Sequence, residues 1–389
     1  MPVTAIPAGD ALALLRRLVT IDSRNPTLVP GAPGEQAVAL ALAATLRDWG
    51  FEVQLVEAAP GRPNVVARIG RRGGRTLLFN GHLDVVGVDG MVHPPFTAEE
   101  RDGRLYGRGS CDMKGGVAAM CAAAARAAAN GLGGEIIVSA VVDEEYASVG
   151  TRALVAGGVR ADAAIVAEPT RLAVNPAHRG FVWVELDFQG RAAHGSRYDL
   201  GVDAIRHAGL VLAALEQLQH EVLDRRTHPL LGHASLHAAT IEGGAGWSTY
   251  PDHCRLRIER RTLPGETTAS VLREFEDVCT RVRSYDPALA VEVRHVLTQG
   301  PSDVAADAPI VRALEAAMRA EGEAVAHEGM SAWTDAALLN DAGIPAICYG
   351  PGDITLAHAA EEFVPLEDVE RSTRVLTRLA TLWMAGDAP

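Results

Sequence analysis

Apolar and polar positions follow one rhythm along the first part of this chain and another beyond about Asn175. Apolar residues recur at helical spacing over Gly34–Trp49, with Gly50 placed to stop a helix, and Phe51–Val56 then alternates as a half-buried strand does. Asn64–Ile69 and Thr76–Phe79 continue as strands. The alanine-rich run Gly115–Ala129 predicts a helix ended at Asn130-Gly131, and the β-branched run Glu135–Val142 predicts a central strand. Ala161–Ala167 predicts another. Such alternation implies an α/β core with a mainly parallel sheet flanked by helices, whose strand ends are where ligands collect.

Beyond Asn175, Phe181–Phe188 reads as a strand, Val202–Leu218 as an amphipathic helix, Ala234–Glu242 and Cys254–Thr262 as strands, and Thr268–Tyr285 as a second helix. Strand, helix, two strands, helix, strand describes a smaller α+β (ferredoxin-like) domain, inserted into the first. From about Gly300 the α/β pattern resumes, with a helix at Pro309–Glu321, a strand at Ala346–Tyr349 and a last helix at Leu366–Met384. The expected division is 1–176 with 293–389 as one domain and 177–292 as the insert.

Composition narrows the class. A chain of 389 residues exceeds what one core comfortably fills, and its 48% apolar content is ordinary for a globular protein. No run approaches the roughly 20 apolar residues of a membrane span. Asp10, Arg16 and Arg17 interrupt the Met1–Thr20 stretch, which lacks the pattern of a secretory signal, so a soluble cytoplasmic protein is expected. Five cysteines without paired spacing suggest neither a disulfide framework nor a thiolate zinc knuckle. The net charge of -13 argues against a nucleic-acid surface.

Candidate chemistry gathers at the predicted strand ends. His82 and Asp84 are two apart, so both can point to one face, with the carboxylate orienting the imidazole from behind. Asp112 follows a glycine-rich approach, Gly107-Arg108-Gly109-Ser110-Cys111, and precedes a helix start, where a carboxylate can bridge two cations. The adjacent Glu144 and Glu145 leave their strand in different directions, so one can ligate metal while the other faces the reacting water. Glu168 ends the next strand, and His358 lies in a loop before Glu362. A lone strand-end histidine is more often a satisfied polar residue, and an acidic doublet more often a solvated pair; His207, His220 and the other isolated histidines keep that reading. Nothing in folding asks for five acid or imidazole groups at successive strand ends, where unpaired charge repels.

Two divalent ions would carry four positive charges against the three of Asp112, Glu145 and Glu168, and a bridging hydroxide would complete neutrality. Nitrogen and oxygen ligands without thiolate suit zinc, with cobalt or manganese able to substitute. Water held this way has its pKa lowered toward ~7, and an unligated Glu144 can take its proton and pass it to a departing amine. A phosphate-binding role for Gly107 and Gly109 fails, because the acidic residue that follows repels phosphate.

In this order the motifs resemble those of the metal-dependent amidohydrolases that include aminoacylases, acetylornithine deacetylases, succinyl-diaminopimelate desuccinylases and glutamate carboxypeptidases. The resemblance spans nearly the whole chain. It implies one metal on His82, Asp112 and Glu168, a second on Asp112, Glu145 and His358, Glu144 as general base, Asp84 behind the ligands, and a cis Asp112-Met113 peptide. It makes the first domain catalytic and the insert a dimerisation and lid domain. Ala193-His194-Gly195-Ser196 resembles the family's Ala-His-Ser-Ser, which implies that His194 reaches across a homodimer to hold the oxyanion. Arg261 matches a residue that binds the substrate carboxylate, and Gly329 and Gly350-Pro351-Gly352 match residues lining the other side. Ser248 stands where relatives often carry Asn, which leaves the acyl specificity open. The implied reaction is hydrolysis of a small N-acyl amino acid by a metal-bridged hydroxide, deacetylase-like or aminoacylase-like, with a dipeptidase or carboxypeptidase as the alternative.

Overall fold

The computed structural model describes residues 5–386, so the start of the Met1–Thr20 stretch lies outside the described residues. Two compact units are present. One runs from the first described residue through Ala177 and resumes over Val304–Gly329 and from Thr334 onward; the other comprises His178–Asp303 with Met330–Trp333.

In the larger unit the sheet is built on four parallel strands, in the spatial order Glu135–Val141, Thr76–His82, Ala163–Val166 and Ala346–Cys348. Arg62–Gly70 and then Glu52–Ala59 extend one side antiparallel, and Val174–His178 joins the other side antiparallel. The central strands are apolar because both faces are covered. Leu77, Phe79, Ile136, Val138 and Ile165 pack with the helices Ala11–Val19, Gln36–Asp48, Gly115–Ala129, Pro309–Ala320 and Leu366–Ala385. The helix Gln36–Asp48 stops at Gly50, whose φ of +88° is open to glycine and strained for other residues.

Gly115–Ala129 is buried almost end to end, and alanine lets its backbone come close to the sheet. Gly116 is the extreme case: a Cβ there would lie 1.8 Å from the Ala167 carbonyl oxygen. The first turn of this helix is thereby pressed against the strand end that carries Glu168.

The smaller unit has the order expected from its pattern. Gly180–Gln189, Ser235–Gly243, His253–Thr262 and Ala290–Gln299 form an antiparallel sheet, with Ser235–Gly243 at one edge and Ala290–Gln299 at the other. Val182, Val184, Leu186 and Phe188 face the helices Ala204–Glu221 and Thr268–Tyr285 through Ala208, Val211, Leu215, Phe275 and Val278. A Thr267–Ser270 capping box starts the second helix. The boundary expected at 292 falls inside the strand Ala290–Gln299, which pairs with Gly180–Gln189 along its length, so the compact unit continues to Asp303.

All five cysteines are buried free thiols. Among the described residues no helix is long and apolar enough to cross a membrane.

Candidate active site

The parallel strands deliver their C-terminal ends to one place. Thr76–His82 ends on His82; Glu135–Val141 runs on into the Asp143-Glu144-Glu145 turn; Ala163–Val166 leads to Glu168. Asp112 arrives from the turn before Gly115–Ala129, and its peptide bond to Met113 is cis. Glu362 fixes that turn: its Oε1 accepts the backbone N–H groups of Cys111 (3.0 Å) and Asp112 (3.1 Å), while Oε2 pairs with Arg108 at 2.7 Å. His358 enters from a loop, in the left-handed region at φ +60°.

Two groups of donor atoms result. His82, Asp112 and Glu168 form one, Asp112, Glu145 and His358 the other, and within each the ligand atoms lie within 4.8 Å of one another. Asp112 belongs to both, with Oδ1 3.1 Å from His82 Nε2 and Oδ2 3.3 Å from His358 Nε2. His358 Nε2 is also 2.9 Å from Glu145 Oε2, while the other oxygen of Glu145, Oε1, is buried without a hydrogen-bond partner among the described residues. A buried orphan oxygen beside imidazole and carboxylate donors fits a divalent cation, and so does the absence of thiolate from both groups.

Electrostatics point the same way. Burial pushes the Glu144, Glu145 and Glu168 carboxyls above their ordinary range, and neighbouring acids add to it: Glu168, Asp335 and Glu145 around Glu144, and Asp112 beside Glu145 and Glu168. Burial alone would lower the His358 imidazole, but hydrogen bonds to Asp112 and Glu145 raise it to about 10. His82 is raised likewise, burial being overcome by Asp112. Asp112 goes the other way, its own desolvation outweighed by the two imidazoles. So many acids drawing protons onto imidazole describe a site whose charge balance asks for cations.

Asp84 does something other than expected from the spacing. His82 Nδ1 donates to the backbone carbonyl of Asp84 at 2.9 Å, while the Asp84 carboxylate Oδ1 is 3.7 Å away. The carboxylate turns instead to the acidic turn, with Oδ1 accepting the Glu144 N–H (3.1 Å) and Oδ2 the Glu145 N–H (3.2 Å). Free N–H groups at a strand end need an acceptor, and this one lies closer to them than to the imidazole. Asp84 therefore aims the two glutamates, and its main chain aims the histidine.

Of the remaining candidates, Gly329 belongs to the larger unit and is half-buried on the strand His327–Met330. His194, Ser248 and Arg261 belong to the smaller unit. His194 is exposed, and its Nδ1 accepts from the Ser196 N–H (3.2 Å) and lies 2.8 Å from Ser196 Oγ, which leaves the ring proton on Nε2. Ser248 is exposed and its carbonyl accepts the Gly195 N–H at 2.7 Å, tying the two loops together. Arg261 is partly exposed, with Nε on Glu259 Oε1 at 2.7 Å and its guanidinium carbon 5.3 Å from the Phe181 ring centroid.

Residue patterns did not bring out Asn25 or Asp335, and they gave Asp143 no role of its own beside Glu144 and Glu145. Asp335 is buried, accepts from Thr151 Oγ1 at 2.6 Å, and is raised by burial, with Asp84 adding to the shift. Asn25 and Asp335 each lie in a stretch that the residue pattern does not mark, so only tertiary placement reveals them.

The model of Peptidase family M20/M25/M40 matches residues 78–382. The chain belongs to this family. As a member it is a metal-dependent hydrolase. Its sequence is 35% identical over 354 residues to an acetylornithine deacetylase of Myxococcus xanthus, covering 88% of this chain and 91% of the relative. It is 31% identical over 391 residues to N-formyl-4-amino-5-aminomethyl-2-methylpyrimidine deformylase of Bacillus subtilis (strain 168), covering 92% and 91%. Among solved structures, a Staphylococcus aureus tripeptidase shares the fold with a TM-score of 0.81 at 19% identity, covering 98% of this chain and 100% of that one. A dinuclear metal-binding M20 peptidase of Bacillus subtilis shares it with a TM-score of 0.73 at 16% identity, covering 96% and 98%.

Proposed function

We propose that this M20 hydrolase cleaves the amide bond of a small N-acyl amino acid, in the manner of an acetylornithine deacetylase. The observation that carries the proposal is Asp112, whose two oxygens each serve a different donor group beside the unligated Glu144. In this reading His82, Asp112 and Glu168 hold one divalent ion, and Asp112, Glu145 and His358 hold the second. Zinc is the ion favoured by the donor set, with cobalt or manganese as substitutes. When bound, the pair supplies a Lewis acid for the scissile carbonyl and makes water acidic enough to serve as nucleophile at neutral pH.

The chain's own groups do the rest. Glu144 takes a proton from the attacking water and hands it to the amine nitrogen as the C–N bond breaks, a contribution of about 10²–10⁴ in rate for a placed acid–base group. Asp84 holds its backbone in place. His194, brought by a second copy of the chain in a homodimer, donates a hydrogen bond from its Nε2–H to the oxyanion. Arg261 takes the α-carboxylate, while Ser248 and Gly329 border the bound substrate. The larger unit is thus the catalytic domain and the smaller the dimerisation and lid domain of a cytoplasmic enzyme.

Two curated relatives that remove an acetyl or a formyl group, at 35% and 31% identity, support a small acyl group. The test is release of free amino acid from N-acetyl-L-ornithine and a panel of N-acetyl amino acids, set against dipeptides and acylglutamates. The expected result is that kcat/KM for the best N-acetyl substrate exceeds that for any dipeptide by about 100-fold or more, a difference of roughly 2.7 kcal/mol in transition-state binding. Faster dipeptide cleavage would make the chain a peptidase on the same site.

A further inference from the structure

We propose that Asn25 is a positioning residue for Glu144, acting through Asp84 and Asp143. The proposal rests on the reading of Glu144 as the proton-transfer group. Asn25 is fully buried, and its main chain is fixed by donation to the Val85 carbonyl at 2.9 Å. Its Oδ1 accepts the Thr27 N–H at 2.9 Å, which sets the orientation of the amide and leaves Nδ2 as the end facing the site. Nδ2 then donates twice, to Asp84 Oδ2 at 2.8 Å and to Asp143 Oδ1 at 3.0 Å.

Those two carboxylates bracket the turn that carries the base. Asp84 accepts the N–H groups of Glu144 and Glu145, and Asp143 directly precedes them in the left-handed region at φ +67°. Side by side, buried carboxylates repel; Glu35 is a third in this cluster, and the guanidinium of Arg62 is shared between Glu35 and Asp143, with Nη1 on Asp143 Oδ1 at 2.9 Å. A neutral amide with two N–H groups satisfies both without adding a charge. Alanine would withdraw both donations and leave a cavity; aspartate would keep the shape and add one more negative group beside Asp84, Asp143 and Glu35.

Without the amide, the turn loses the tie between its two ends and Glu144 loses its aim. A displacement of about 1 Å at a reacting group can cost on the order of 100-fold in rate. For the N-acetyl amino acid that the wild type cleaves fastest, Asn25→Ala is expected to lower kcat by about 100-fold with KM changed less than about 3-fold. In a Glu144→Gln background the same change should cost less than about 3-fold, because the group it positions is gone. In the metal-free protein, amide hydrogen exchange should accelerate over residues 143–146 and stay unchanged along the strand 135–141.

Unaltered kcat, an equal loss in both backgrounds, or unchanged or uniformly faster exchange would overturn the assignment. So would failure of both Asn25→Ala and Asn25→Asp to fold, which would make the amide a structural tie alone. Wild-type turnover in Glu144→Gln by itself would instead remove the Glu144 reading on which this rests.

Discussion

Arg260 and Arg261 are neighbours in sequence with opposite surroundings. Strand alternation turns Arg260 inward, where it is fully buried and bound to Glu266 and Glu274, and turns Arg261 outward with part of its guanidinium exposed. Only the second, although paired with Glu259, presents part of its guanidinium at the surface. Arg261→Gln is expected to raise KM for an N-acetyl amino acid by about 10–100-fold, the loss of one charge-assisted hydrogen bond, with kcat within a few-fold. Steady-state kinetics check it, and a KM within twofold of wild type would remove Arg261 from the binding role. His178 gives a pH-dependent counterpart. Burial depresses its pKa to about 4, its Nδ1 donates to the Arg179 carbonyl at 2.9 Å, and its Nε2 has no hydrogen-bond partner among the described residues. Since the unfolded chain binds this proton below about pH 6.5 and the fold refuses it down to about 4, stability is lost as pH is lowered through that window, by up to about 3 kcal/mol. His178→Gln should flatten this part of the pH dependence in denaturant titrations at pH 7 and 4.5; an identical slope in both proteins would contradict it.

At the scale of elements, strong periodicity was legible and short pieces were not. Gly115–Ala129 and Thr268–Tyr285 occupy the residues their patterns predict, since one is a long alanine run with a clear stop and the other carries its own capping box. The half-buried strand that alternation predicts over Phe51–Val56 is found as the edge strand Glu52–Ala59, with four positions exposed and four partly buried. The small sheet Glu99–Arg101, Arg104–Tyr106 and Phe363–Pro365 escaped the pattern because three-residue strands show no period, and one of them is brought in from far along the chain. The site divides the same way. His82, Asp112, Glu145, Glu168 and His358 were visible as chemistry at strand ends and in a loop. Asp84 was visible too, but the partners of its carboxylate were not. Spacing gives the face a side chain leaves from, and only the neighbouring turn decides which N–H groups that carboxylate reaches. Asn25 shows no periodicity or spacing to mark it, because its importance lies in two carboxylates far apart in sequence, each just past one of two neighbouring strands, meeting on one amide.

The whole molecule pairs an α/β unit, which gathers the donor atoms, with an α+β unit holding His194 and Arg261. Its net charge of -13 includes the buried acids of the site, so occupied metal positions would remove part of that excess. The proposed chemistry depends on Asp112 serving two ions at once. The most direct measurement is metal content per chain by mass spectrometry after chelation and reloading with zinc, in the wild type, His82→Ala and Asp112→Asn, alongside activity. Two ions in the wild type, one in His82→Ala and neither held stably in Asp112→Asn, with activity lost on chelation and restored by zinc, is the predicted result. Two ions and full activity retained in Asp112→Asn would contradict it.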